Sequence, residues 1–121
     1  MTYCVGIKLN QGMVFLSDTR TNAGVDLINR FRKMTVFEIT GERTIVLMTA
    51  GNLSISQSVV QLLQSQTGNE ANSSLWNATN MFEAARLVGQ AIRDIHEHDA
   101  KALGEFHVDF NVSFIIGGQI H

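Results

Sequence analysis

Thr44-Ile45-Val46-Leu47-Met48-Thr49-Ala50-Gly51-Asn52 carries four large apolar residues in an unbroken run and then stops on a glycine. A short continuous apolar run bounded by turn residues reads as a strand covered on both faces. Ala50-Gly51-Asn52 breaks the run and the period changes: Ile55, Val59, Leu62 and Leu63 recur at helical spacing. The spacing predicts a helix over 54–66, with Asn52 or Ser54 as its cap. A buried strand passing through a glycine turn into a helix is therefore the centre of the fold.

Working towards the N-terminus, Thr40-Gly41-Glu42-Arg43 reads as a turn, with 33–39 as the partner strand and 21–32, polar and mixed, as a loop. Residues 2–9 are rich in β-formers. Asn10-Gln11-Gly12 is a hairpin turn, and 13–16 return as a second strand into Ser17-Asp18-Thr19-Arg20. Towards the C-terminus, 67–74 is a polar loop. Thr79 or Asn80 caps a second helix with an apolar stripe of Phe82, Ala85, Val88, Ile92 and Ile95, running to about Ala102, where Gly104 stops it. Residues 106–116 form a β-like run ending at Gly117-Gly118, which reads as a tight turn with a partner strand expected next.

Four strands, two helices and one strand make an α+β fold, a sheet covered on one side by helices. A lone terminal strand leaves an exposed edge, which natural domains avoid. Residues 1–121 are therefore expected to be a single, incomplete domain with a strand partner missing. The alternative is a complete small α+β domain.

Composition narrows the function classes. The chain has 121 residues, a net charge of -2, 45% apolar and 17% charged residues, ordinary for a globular chain. The weak acidity gives no attraction to nucleic acid or to an anionic membrane, so neither is an expected partner. The single cysteine, Cys4, excludes a disulfide framework within the chain and suits a reducing compartment. No segment reads as a secretory signal or approaches a membrane span, so the expected location is cytoplasmic. Proline is absent and turn duty falls to Gly, Asn and Asp.

Four residues invite a chemical reading. Removal of Met1 would expose an α-amine beside the Thr2 hydroxyl, a nucleophile with its own base. The ordinary α-amine pKa is about 8, and a nearby cation disfavours its charged form. Lys33, at the head of the third strand, supplies such a cation, and Asp18, at the end of the second, would hold it. Gly51 stands between a buried strand and a helix, where backbone N–H groups are free to meet an anion and could form an oxyanion hole. Taken singly, each has a plainer role: a small residue after the initiator, a strand-end lysine, a turn aspartate and a turn glycine. Cys4, two residues from Thr2 and on the same side of a strand, is either a competing nucleophile or a buried small residue.

The combination is more specific than its parts. Thr2-Tyr3-Cys4-Val5-Gly6-Ile7, Ser17-Asp18-Thr19-Arg20, Phe31-Arg32-Lys33-Met34 and Thr49-Ala50-Gly51, in this order and spacing, resemble the proteasome β-subunit family of N-terminal nucleophile hydrolases. The stretch 17–26 followed by 31–34 is similar to the bacterial ancestral β-subunit branch, Anbu. The resemblance covers the whole chain but only about the first half of a family member.

It implies a threonine-type endopeptidase in which Thr2 is the nucleophile, its amine the base, Asp18 and Lys33 the supporting charge pair and Gly51 the oxyanion donor. It also implies a four-layer αββα sandwich, of which this chain would supply the N-terminal part: antiparallel sheet with two packed helices. Thr21, Thr49 and Leu53 stand where substrate-pocket residues belong, giving a small, neutral pocket. The expected partners are a peptide or unfolded-protein substrate and further copies in a ring-like oligomer, with any unfoldase unspecified. No cofactor is expected. The family draws a serine and an Asp–Ser pair from its second half, and no residues here match them. The alternative is a non-catalytic assembly fragment of the same fold.

Two further features have plain readings. His96 and His98 are two apart and so point in different directions on a helix, which suits a solvated helix end rather than a metal site. Trp76, in a polar loop, either covers the helices or anchors a neighbouring subunit.

Overall fold

The computed structural model describes residues 2–22, 28–30, 32–67, 71–105 and 111–121. Strands β1 (Cys4–Leu9) and β2 (Gly12–Ser17) form an antiparallel hairpin with Leu9 opposite Gly12. β3 (Arg20–Asn22) and β4 (Ile28–Arg30) form a short antiparallel ribbon. β5 (Met34–Ile39), β6 (Arg43–Gly51) and β7 (Val112–Ile120) make a three-stranded antiparallel sheet with β6 in the middle. Between β6 and β7 come helices α1 (Leu53–Ser65) and α2 (Met81–Glu105).

β6 is the strand its apolar run predicts. Side chains alternate along a strand, so Ile45 and Leu47 face one side and Val46 and Met48 the other. Ile45 and Leu47 join Phe37, α1 residues Ile55, Val59 and Leu63, and α2 residues Ala84, Val88 and Ala91 in the main core. Val46 and Met48 are also buried, on the side where the β1–β2 hairpin lies. Each such side chain contributes about 1.5–3 kcal/mol on burial, and β6 supplies more large buried apolar side chains than any other described element. The layers run helices, β5–β6–β7 sheet, hairpin.

Local chemistry sets the ends of these elements. The Glu42 N–H donates to the Ile39 carbonyl at 3.0 Å, and Gly41 takes φ 79° inside that turn, a conformation that disfavours other residues. Asn52 caps α1, its side chain accepting from the Ile55 N–H at 3.1 Å. Asn80 caps α2 by accepting from the Glu83 N–H at 2.8 Å. The Glu83 carboxylate reaches back to both the N–H and the hydroxyl of Thr79, at 2.8 Å each. These bonds and the Ser73 hydroxyl push the Glu83 carboxyl down to about 2, the backbone N–H of Thr79 contributing most.

Four expectations change. The loop over 21–32 contains the β3–β4 ribbon, made of Arg-Thr-Asn and Ile-Asn-Arg. Three-residue strands with a single apolar residue between them are too short to show alternation; residues 23–27 and 31 lie outside the described set.

Gly117-Gly118 is not a turn. β7 runs straight through both glycines and pairs with β6, Gly117 opposite Val46 and Gly118 opposite Ile45. The expected missing partner of this run is therefore β6 itself. The paired glycines serve close approach: a Cβ on Gly118 would collide with the Thr44 carbonyl, and one on Gly117 with the Phe15 ring. The predicted start of this strand, 106–110, lies outside the described residues.

The apolar stripe of α2 holds at Val88, Ile92 and Ile95, which pack on the core, but not at its first two positions. Phe82 is 75% exposed and Ala85 is exposed, whereas Ala84, Val88 and Ala91 are buried. Ala84 and Ala91, seven apart, extend the buried face that Val88 carries, and small alanines are a weak signal of that phase. α2 also continues through Gly104 to Glu105.

Finally, the sheet is covered on both faces, by helices on one and by the hairpin on the other. Trp76 covers the core. Its ring meets Phe37 edge-on, 5.2 Å between centroids at 64°.

Candidate active site

The open end of the β1–β2 hairpin brings together the two halves of the expected charge pair. Asp18 follows β2 directly, and its N–H donates to the Tyr3 carbonyl at 3.0 Å, extending the hairpin one step beyond Cys4. The Tyr3 N–H in turn donates to Asp18 Oδ1 at 2.9 Å. Thr2, half-buried, is the residue just before this clasp.

Lys33 comes from the other layer, immediately before β5. Its Nζ donates to Asp18 Oδ1 at 2.9 Å and Oδ2 at 2.8 Å. Lys33 is 5% exposed, so its charge requires this counter-ion. The Lys33 ammonium, followed by the Tyr3 N–H, holds the Asp18 carboxyl below its ordinary value. An ionised Asp18 thus fixes a buried ammonium beside the segment that begins at Thr2.

β6 closes the group. The Thr49 N–H donates to the Lys33 carbonyl at 2.9 Å, tying the end of β6 to the lysine backbone. Gly51, two residues on, has φ 102° and lies opposite Val112. A Cβ there would collide with the Asn111 carbonyl, so the glycine is required by both conformation and space. The Asn52 N–H donates to that same carbonyl at 2.7 Å before α1 begins.

Asp18 and Lys33 are therefore in direct contact, Thr2 is adjoining in sequence to their clasp, and Gly51 is at the end of the strand bonded to Lys33. The three expected pocket residues are less closely grouped. Thr49 is buried beside Lys33, and Leu53 is half-buried at the start of α1. Thr21 is in β3 opposite Asn29, and its side chain lies outside the described set, as does Met1.

Cys4 is half-buried with its Sγ 3.9 Å from the Thr49 carbonyl oxygen. Burial, and then the Asp18 charge, push its thiol up against the opposing pull of Lys33. A protonated thiol is a poor nucleophile, so the buried-small-residue reading fits better.

The sequence reading missed two contributors. The Tyr3 N–H acts through the backbone and leaves no side-chain signal. Arg43, read as a turn residue, is buried and donates from Nη1 to the carbonyls of Leu75 (3.2 Å) and Ala78 (2.8 Å), pinning the segment before α2. An arginine flanked by a turn and an apolar run was its only trace.

A cleft of about 540 Å³ opens at the opposite end of the hairpin, between its turn and the β6–β7 strands. Among the described residues Lys8 is the only titratable one lining it. Among the described residues no helix is long and apolar enough to cross a membrane.

No protein-family model and no curated sequence matches the chain. Solved structures do. An Anbu (Gly-1) mutant from Hyphomicrobium sp. strain MC1 is 43% identical with a TM-score of 0.86, over 99% of this chain and 48% of that one. Anbu (ancestral beta-subunit) from Yersinia bercovieri is 44% identical, TM-score 0.84, over 97% and 47%. The helical assembly of the Anbu complex from Pseudomonas aeruginosa gives 43% and 0.87, over 97% and 48%. This chain thus spans about half the length of these relatives. Along nearly all of its own length it has the fold and sequence character of the Anbu branch of proteasome-type β-subunits.

Proposed function

We propose that the protein is a proteasome-type threonine peptidase subunit whose nucleophile is Thr2, exposed by removal of Met1. The observation that carries this reading is the clasp of Asp18, bonded at once to the Tyr3 N–H and the Lys33 ammonium. It fixes a cation next to the segment that starts with Thr2. That cation favours the neutral form of the freed amine.

The amine then accepts the Oγ1 proton, directly or through a water, as Oγ1 attacks an amide carbonyl. The Gly51 N–H is the donor assigned to the developing oxyanion. The proton passes to the leaving amine as the C–N bond breaks. The acyl–threonine ester is hydrolysed by water, which restores the hydroxyl. Thr21, Thr49 and Leu53 are the residues proposed to shape a small, neutral pocket for a peptide or unfolded-protein substrate.

The domain is proposed to be the first half of a four-layer sandwich. Tyr3 (65% exposed), Ile7 (46%), Leu9 (55%), Val14 (51%) and Leu16 (59%) bare the hairpin face turned away from the sheet, as expected where a further layer belongs. Self-association follows by analogy with the helical assembly described for the Pseudomonas aeruginosa relative. A cytoplasmic setting suits the unpaired Cys4.

The second reading is a non-catalytic assembly fragment. It is favoured because the serine and the Asp–Ser pair that the family resemblance implies have no match among these residues.

Mass spectrometry and active-site labelling separate the two. The peptidase reading expects loss of Met1 and labelling of Thr2 by a threonine-directed electrophile, abolished in Thr2→Ala. Met1 retained on every molecule, or labelling unchanged in Thr2→Ala, would falsify it.

A further inference from the structure

The Asp18–Lys33 pair joins two layers. Asp18 belongs to the β1–β2 hairpin and Lys33 to the segment entering β5. Its geometry therefore depends on where the hairpin sits on the sheet. One interlayer contact is unusually tight. A Cβ built on Gly117 of β7 would lie 2.6 Å from Phe15 Cζ, 2.8 Å from Phe15 Cε1 and 3.1 Å from Met13 Cε.

Gly117 is buried and its φ lies outside the glycine-favouring region, so space alone demands a glycine there. Gly6 opposes Phe15 across the hairpin, and a Cβ on it would be 3.6 Å from the ring and 3.8 Å from Ile115 Cγ2. Phe15 is thus a knob seated in a notch left by one absent side chain. It stands three residues before Asp18, a lever of about 10 Å along an extended strand.

We propose that the Phe15 ring seated over Gly117 is a positioning contact that sets the depth and slide of the hairpin on the sheet, and thereby the Asp18–Lys33 geometry. The proposal deepens the peptidase reading and rests on it only for the activity measurement. Neither residue touches the reacting atoms. Both act through the placement of Asp18.

The test follows Asp18 and Thr2 separately, by carboxyl carbon NMR titration of Asp18 and by electrophile labelling of Thr2 in protein lacking Met1. Gly117→Ala adds one methyl that overlaps the ring. It is expected to raise the Asp18 midpoint towards its ordinary value of 3.8. Labelling should slow on the order of tenfold to a hundredfold, the cost of a small misplacement. Adding Phe15→Leu, which withdraws the ring edge, should restore both. Phe15→Ala alone, which empties the notch without a clash, should also raise the midpoint, and it decides the matter if Gly117→Ala does not fold.

An Asp18 midpoint unchanged in folded Gly117→Ala or in folded Phe15→Ala overturns the proposal. So does a folded double variant that recovers neither property. If the midpoints move as expected while no form of the protein labels at Thr2, the positioning contact stands and the peptidase reading falls.

Discussion

Lys33 Nζ lies 2.9 Å from Oδ1 and 2.8 Å from Oδ2 of Asp18, so a buried ammonium is shared between both oxygens of a carboxylate in another layer. Asp18→Asn keeps the shape and removes the charge. Under the peptidase reading, Thr2 labelling should fall about a hundredfold or more, since the amine loses the fixed cation that tunes it. The stability effect has a defined pH sign. The folded carboxyl is held below its ordinary 3.8. Its contribution is therefore complete above that value and is lost as pH falls through the lowered one. The difference in Tm between wild type and Asp18→Asn should shrink on acidification below about 4. A difference that does not shrink on acidification would show that the Asp18 charge is not what stabilises the clasp.

Glu83 gives the same sign over a wider window. Its carboxyl moves from 4.5 to about 2. Its stabilisation of the α2 start is full above 4.5, declines as pH falls and is gone below about 2. Glu83→Gln should lower Tm near neutrality and converge with wild type by about pH 2. Thermal melts followed by circular dichroism from pH 7 to 2 would check this, and a Tm gap that persists at the acid end would contradict it.

Arg43→Met should cost about 2–3 kcal/mol, because the carbonyls of Leu75 and Ala78 lose a charged donor inside the protein. Trp76 lies between those two residues and packs on Phe37, so its fluorescence reports the loosening directly. Chemical denaturation followed at Trp76 should show a lower midpoint. Wild-type stability would mean that water replaces the guanidinium without loss.

Gly51→Ala combines an unfavourable φ of 102° with a clash against the Asn111 backbone. It should destabilise by more than about 1 kcal/mol. It should also suppress Thr2 labelling in molecules that remain folded, because the amide assigned to the oxyanion moves. Equilibrium unfolding and labelling rates measured on one preparation would separate these effects.

How much was legible depended on whether side chains or backbone carried the information. The run Ile45-Val46-Leu47-Met48 announced a doubly covered strand because four apolar residues cannot share one face of a strand. Asp18 and Lys33 were legible as a pair from family-like spacing, and in the structure they are in direct contact. β3 and β4 were not, because Arg-Thr-Asn and Ile-Asn-Arg pair through their backbones. Gly117-Gly118 was misread because two glycines mark a turn as readily as a close approach, and only the position of Phe15 and Thr44 distinguishes these. The α2 stripe was legible at Val88, Ile92 and Ile95 but not at its start, where Phe82 is exposed and the small Ala84 is buried instead.

The order of the strands has a kinetic consequence. β1–β2 and β5–β6 join neighbours along the chain, but β6 meets β7 only after both helices have been traversed. Closing that long loop is slow compared with forming hairpins and helices. The hairpin that carries Asp18 rests on Gly117 of β7. A chain that has made only its local structure therefore has no seat for the hairpin and no fixed distance between Asp18 and Lys33. Under the peptidase reading, the Thr2 amine therefore gains its tuning cation only once β7 has docked, and a nascent or partly unfolded chain would hold its hydroxyl unarmed.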